Sequence, residues 1–321
     1  MRYRSAARLP DALSEIGYGM WGMGGWSGSD DTESADALDR AVELGCTFFD
    51  TAWAYGDGHS ERLLGALLRR HPGTRLCAAS KVPPKNRQWP GRRANRADDV
   101  FPYDHVVAYT DTTLKNLGVE TIDLQQLHVW DDSWADAEGW RQAITDLKQA
   151  GKIRAFGISV NRWEPHNVLR ALDTDLVDAV QVVYNLFDQS AQDVLFPACQ
   201  RRGVAIIARV PFDEGSLTGT LHADSRWAEG DWRNIYFAPR HLAETLPRVE
   251  RLARDADAMG MALPELALRF ILSQPAVTTT IPGMRRCRHV EANLAISDRD
   301  PLDPAARLGA HRWDRVPDDR P

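Results

Sequence analysis

The chain has 321 residues, 43% hydrophobic and 26% charged, and a formal net charge of −6. Those values suit a globular protein with a large core, and the mild acidity argues against a nucleic-acid partner. No stretch approaches the roughly 18 apolar residues of a membrane span, so no membrane association is expected. The start Met1-Arg2-Tyr3-Arg4 is charged but no apolar run follows it, so no signal peptide is expected. Cys46, Cys77, Cys199 and Cys287 are scattered, without CxxC or metal-ligand spacing. They read as reduced thiols of a cytoplasmic protein that holds no metal.

Short apolar runs alternate with amphipathic stretches along the chain. Ile16–Gly19 is the first predicted strand. A helix follows over Asp31 to Leu44, with Asp30 and Glu33 spaced as a capping box and Gly45 able to end it. The second strand is Thr47–Asp50, and the second helix is Glu61–Arg70 with Ser60 as N-cap. Leu76–Val82, Ile122–Val129, Ile153–Ser159, Asp178–Val183, Val204–Arg209 and Val277–Ile281 are the remaining strands. Helices are predicted at Tyr103–Leu117, Glu138–Ala150, Glu164–Leu172, Ala191–Arg202, Pro239–Met259 and Pro264–Ser273. Eight strands alternating with helices indicate a parallel α/β fold. Periodicity admits both a closed barrel and an open doubly wound sheet.

Two long connections stand out, Pro83–Pro102 and Pro211–Pro239. Long ordered loops in a compact domain are usually lids or binding loops. The basic residues between Lys85 and Arg96 read as a solvated loop. Residues 297–321 form a polar tail, expected to drape over the surface of one domain that spans 1–321. Gly17-Tyr18-Gly19-Met20-Trp21-Gly22 matches GxGxxG, but the helix starts some ten residues too late for a dinucleotide fingerprint.

Polar residues close successive strands: Asp50, Lys81, His128 and Ser159, with Tyr55 five residues beyond Asp50. In a barrel, groups at the carboxyl ends of the strands converge on one mouth, where active sites lie.

These pieces carry a resemblance. Phe49-Asp50-Thr51-Ala52, Tyr55-Gly56, Ser60-Glu61, Ala79-Ser80-Lys81-Val82 and Leu124-Gln125-Gln126-Leu127-His128 come in order. Lys152 to Ser159, Gln181 to Asn185, Ile281-Pro282-Gly283, Glu291 and Asn293 follow. In this order and spacing the chain resembles the aldo-keto reductase family, bacterial branch, over nearly its full length. The resemblance implies a single (β/α)8 TIM barrel with long loops at its carboxyl face. It also implies reduction of an aldehyde, ketone or keto-sugar with NADPH, NADH being possible.

The resemblance further implies a catalytic tetrad of Asp50, Tyr55, Lys81 and His128, with Tyr55 as proton donor. A free tyrosine titrates near pH 10; lowering that by about 2 units takes about 2.7 kcal/mol, which Lys81, held by Asp50, is expected to supply. Ser159, Asn161 and Gln181 are the implied ligands of the nicotinamide carboxamide. Arg209 replaces the usual aromatic that stacks on the ring, and Gly283, Met284, Arg285, His289 and Asn293 hold the adenosine phosphate. Arg285 offers a fork for a 2′-phosphate. Trp21, Trp53, Trp89 and Trp130 are the expected aromatic wall for the small carbonyl substrate. Two alternatives stand beside this reading: a Schiff-base lyase using Lys81, and a nucleotide-binding barrel that acts as a regulatory or partner-docking module.

Overall fold

A strand buried on both faces must be apolar along its whole length, because neither side meets water. The predicted runs have that character, and the computed structural model, which describes residues 1–25, 28–302 and 308–313, assembles them into one eight-stranded parallel sheet in chain order. The strands are β1 Tyr18–Gly19, β2 Phe48–Asp50, β3 Cys77–Val82, β4 Ile122–Leu127, β5 Ile153–Ser159, β6 Ala179–Val183, β7 Ala205–Arg209 and β8 Thr279–Thr280. Bridges from Ile16 to Thr280 and from Gly19 to Gly283 join the first strand to the last. The sheet therefore closes into a barrel.

Closure explains two glycines of the GxGxxG stretch. A Cβ on Gly19 would stand 2.5 Å from the carbonyl oxygen of Ile281, and one on Gly17 would stand 2.8 Å from the Phe48 ring. They are glycines so that β1 can approach its neighbours, and only a 3-10 turn, not an α-helix, opens directly after them. Trp26 and Ser27 lie outside the described residues.

Alternate residues fill the two sides of the barrel wall. Phe48, Cys77, Ala79, Leu124, Ala155, Ala179, Ala205 and Ile207 point inward and cluster with Leu13. Phe49, Ala78, Phe156, Val180, Val182, Ile206 and Ala208 point outward into the main core. Each large aliphatic or aromatic side chain so buried contributes roughly 1.5–3 kcal/mol.

The outer ring comprises α1 Asp31–Glu43, α2 His59–Arg70, α3 Tyr103–Leu117, α4 Glu138–Gln149, α5 Leu169–Leu172, α6 Leu195–Arg202, α7 Pro239–Ala258, α8 Leu263–Leu272 and α9 Cys287–Leu294. The expected helices are present, with four differences. Asp30 caps α1 by accepting from the Glu33 amide at 2.8 Å, but the Glu33 carboxylate pairs with Arg286 at 3.2 Å instead of completing the box. Ser60 is not the cap of α2; that place is held by Gly58 in the left-handed region. The Ser60 hydroxyl is buried and accepts from Thr51 Oγ1 at 2.7 Å. The helix expected over 164–172 shrinks to α5, because Glu164 accepts from Asn161 three residues upstream and Asn167 accepts from the Asp132 amide in the loop after β4, bonds that compete with helix formation. The helix expected over 191–202 divides into a 3-10 turn, Ser190–Gln192, and α6.

A short hairpin, Tyr3–Arg4 with Leu13–Ser14, covers the amino end of the barrel. It is too short to produce a readable pattern. The tail does more than drape: Ser297 is buried against Glu15 at 2.9 Å, Leu308 is buried, and Trp313 packs on Phe187 with ring centroids 5.8 Å apart. Residues 303–307 and 314–321 of the expected tail lie outside the described residues.

Candidate active site

Strand parity decides which side chains reach the mouth. Inward-facing positions recur every second residue, so the apolar series that begins with Phe48, Cys77, Leu124, Ala155, Ala179 and Ala205 leads to Asp50, Lys81, Gln126, Ser159, Gln181 and Arg209. Register aligns them across strands: Lys81 with Gln126, Ser159 with Gln181, Val183 with Arg209. Tyr55 enters from the loop after β2. That loop turns at Gly56, where φ is +69°. A Cβ there would stand 2.2 Å from the Gly24 carbonyl oxygen, so the turn demands glycine.

Four of the predicted residues meet at this mouth. Lys81 Nζ donates to Asp50 Oδ1, to the Thr51 carbonyl at 2.8 Å and to the Tyr55 hydroxyl at 3.5 Å. All three ammonium donors are thereby assigned. Asp50 Oδ2 accepts from Gln126 Nε2 at 3.1 Å and from Gln181 Nε2 at 2.8 Å. A carboxylate and an ammonium inside a barrel persist only when paired and fully bonded, and these amides complete the pairing. The His128 ring stands edge-on to Tyr55, centroids 5.6 Å apart.

The electrostatics correct one expectation. Burial pushes the Tyr55 phenol up; Lys81 pulls it down by less, Asp50 adds to the rise and Arg209 opposes it. The net direction is upward, so the tyrosine remains a phenol at neutral pH. His128 is held well below the usual imidazole range, first by burial and then by the charges of Lys81 and Arg209. A neutral imidazole offers one donor and one acceptor; its Nδ1 is buried with no partner among the described residues.

The aromatic wall divides. Trp89 is 46% exposed and sets its edge against His128, with ring centroids 4.5 Å apart. Trp21 stands 43% exposed on a 3-10 turn, Trp21–Met23, after β1. Trp53 turns its ring toward Tyr109 of α3, centroids 4.9 Å apart. Trp130 is no part of a wall: it is fully buried and packs edge-on against Trp134 and Trp140. A loop position beyond β4 suggested exposure, but the neighbouring indoles draw it into the core.

The groups around the mouth fit a nicotinamide dinucleotide in most respects. No described residue donates to Gln181 Oε1, and no described residue bonds the Ser159 hydroxyl beside it. Arg209 donates to the Val160 carbonyl at 3.1 Å, and its Nε is buried with no partner among the described residues. Burial, and then Arg162, push its guanidinium down to about 10. Gly283 is exposed, with nothing but the Gly19 carbonyl oxygen near its Cβ position, at 4.0 Å. Arg285, Arg288 and His289 cluster at the start of α9, and burial followed by the charges of Arg288, Arg286 and Arg285 lowers the His289 pKa.

Two expected ligands do not fit. Met284 is fully buried in the core, and its carbonyl accepts from the Tyr18 hydroxyl. The Asn161 carboxamide is committed to Gly91 and Glu164. Asn293 is buried in α9. Gln126 was missed by sequence reasoning, although its position two residues before His128 places it on the same inward face.

Comparison with known proteins places these features in context. The sequence profile of the Aldo/keto reductase family matches residues 15–306. Aldo-keto reductase YhdN of Bacillus subtilis is 31% identical over 301 residues, covering 91% of this chain and 87% of its own length. Aldo-keto reductase yakc of Schizosaccharomyces pombe, whose name specifies NADP(+), is 29% identical over 294 residues, 88% of this chain and 84% of its own. A Bacillus halodurans aldo-keto reductase in its holo form superposes with a TM-score of 0.77 at 25% identity, covering 98% of each chain.

Proposed function

Because this chain belongs to the aldo/keto reductase family, we propose that it reduces the carbonyl group of an aldehyde, ketone or keto-sugar with NADPH, Tyr55 supplying the proton. One observation carries the reading: the Tyr55 hydroxyl lies 3.5 Å from an ammonium that Asp50 and the Thr51 carbonyl hold in place. NADPH held at Ser159, Gln181 and Arg209 would supply the hydride for the carbonyl carbon, and the carbonyl oxygen would then need a proton. The phenol, kept protonated by burial, gives its proton to that oxygen. Lys81 and Arg209 then favour the phenolate that remains. His128, neutral, directs a ring N–H toward the same oxygen and orients the substrate.

Ser159 and Gln181 are the proposed holders of the nicotinamide carboxamide, Arg209 the residue beside its ring. Gly283, Arg285 and His289, with Asn293 behind them, face the adenosine phosphates; Arg285 carries the preference for a 2′-phosphate. Trp21 and Trp89 line the substrate entrance. Lys81 has no spare donor and sits beside a carboxylate, which disfavours its use as an amine nucleophile. The test is a fluorescence titration with NADPH and NADH, followed by oxidation of the bound cofactor against a panel of carbonyl compounds. Micromolar NADPH binding with turnover on at least one aldehyde or ketone is expected; tight binding with no turnover across the panel would favour a nucleotide-binding module instead.

A further inference from the structure

Asn161 occupies the segment where the family resemblance places a carboxamide ligand, yet its own carboxamide is fully engaged by protein. Asn161 Nδ2 donates to the Gly91 carbonyl at 3.0 Å, and the Gly91 amide donates back to Asn161 Oδ1 at 3.2 Å. The second Nδ2 proton goes to Glu164 Oε2 at 2.8 Å. Glu164 also accepts from Asn167 Nδ2 at 3.2 Å, and Asn167 Oδ1 accepts from the Asp132 amide at 2.8 Å. This chain of polar groups links the loops after β3, β4 and β5.

We infer that Asn161 is a positioning residue for the substrate wall: it ties the loop after β5 to Gly91 and so sets where the Trp89 indole stands over His128. The inference rests on the reductase reading above for its effect on substrate. Asn161 is 5% exposed, and Gly91 is buried. Without the tether, one backbone donor and one backbone acceptor would be left buried and unpaired, an arrangement the loop avoids only by moving. Gly91 is also wedged against the strand extension after β4: a Cβ on it would meet the Trp130 backbone at 3.0 Å. Trp89 stands two residues away. At 46% exposure it is only partly packed, and among the described residues the ring it contacts is His128, in a T-shaped pair. The tether therefore sets where the indole stands beside the imidazole, at the rim of the mouth that a carbonyl substrate must enter.

The test is Asn161→Ala, read by cofactor affinity, steady-state kinetics and hydrogen exchange. We expect NADPH affinity within about twofold of wild type and kcat within about threefold, with KM for the carbonyl substrate raised about tenfold, as the loss of one or two buried hydrogen bonds implies. Backbone exchange across residues 85–96 should quicken. In a Trp89→Ala background the same substitution should add nothing further to KM, since groups acting through one another are non-additive. Gly91→Ala, which pushes the loop off Trp130 from its other end, should show the same split and keeps the inference testable if Asn161→Ala folds poorly.

NADPH affinity weakened about tenfold with KM unchanged would make Asn161 a cofactor ligand after all. Additive KM effects with Trp89→Ala would mean that it does not act through the indole. Failure of the wild-type protein to reduce any carbonyl sinks the reductase reading alone. The tether is then judged by exchange across 85–96, and unchanged rates there overturn it.

Discussion

At the amino ends of the strands the barrel interior is filled by Phe48, Cys77, Leu124, Ala155, Ala179 and Ala205 beneath Leu13. Two or four residues further along the same strands, the same inward face carries Asp50, Lys81, Gln126, Ser159, Gln181 and Arg209. The amino end gains its stability from non-directional apolar burial, and a polar lid, Glu15 with Arg4 at 2.7 Å and Ser297 at 2.9 Å, closes it. The carboxyl end contains charge and holds it by directed bonds, Asp50 receiving Lys81, Gln126 and Gln181 together. One face of one sheet thus separates folding from chemistry by position alone. Substitutions below the level of Asp50 should alter stability, and substitutions at the mouth should alter turnover or affinity.

Tyr55→Phe is the strongest test of that separation. Removing the phenol should lower kcat by about 10²–10⁴, the range for a lost general acid, while the thermal midpoint and NADPH affinity stay near wild type. A variant that turned over normally would remove Tyr55 from the chemistry. Leu124→Ala probes the opposite end. Its side chain is 1% exposed, so urea unfolding should report a loss of about 2–5 kcal/mol, with kcat and KM unchanged at temperatures where the variant remains folded. A smaller effect belongs to the edge of the mouth. Arg285→Ala should weaken NADPH about tenfold, the loss of roughly 1.4 kcal/mol, and leave NADH binding nearly unaffected in the same titration.

The finest test is a pH profile. Burial raises the Tyr55 pKa, and the nearby Arg209 cation opposes that rise by favouring the phenolate. Reduction requires the protonated phenol, so kcat/KM should be level through neutral pH and fall as pH climbs through the raised pKa. Arg209→Leu removes the opposing charge, the pKa rises further, and the alkaline limb should move to higher pH. A limb that moved down, or stayed in place, would show that Arg209 does not act on Tyr55.

The expected strands lie within about two residues of those observed, because parallel barrel strands are apolar on both faces and their runs end where loops begin. The polar residues that meet at the mouth were legible for a related reason: at strand ends they stand out against apolar runs, and their order resembled a family pattern. Helix caps and short helices were less legible. Ser60 has the chemistry of a cap but bonds Thr51, and Glu33 has the spacing of a capping box but pairs with Arg286 across two helices. Each choice was made by a partner outside the helix concerned.

The sequence by itself determined the alternation of strand and helix, the polar residues that close the strands, and the family, since all three depend on local pattern and order. The burial of Trp130, the commitment of Asn161 to Gly91, and the upward direction of the Tyr55 pKa were decided by the tertiary structure alone. Each of these depends on which groups from remote segments come within a few ångströms, and on how much water they exclude, quantities that no local window of residues contains.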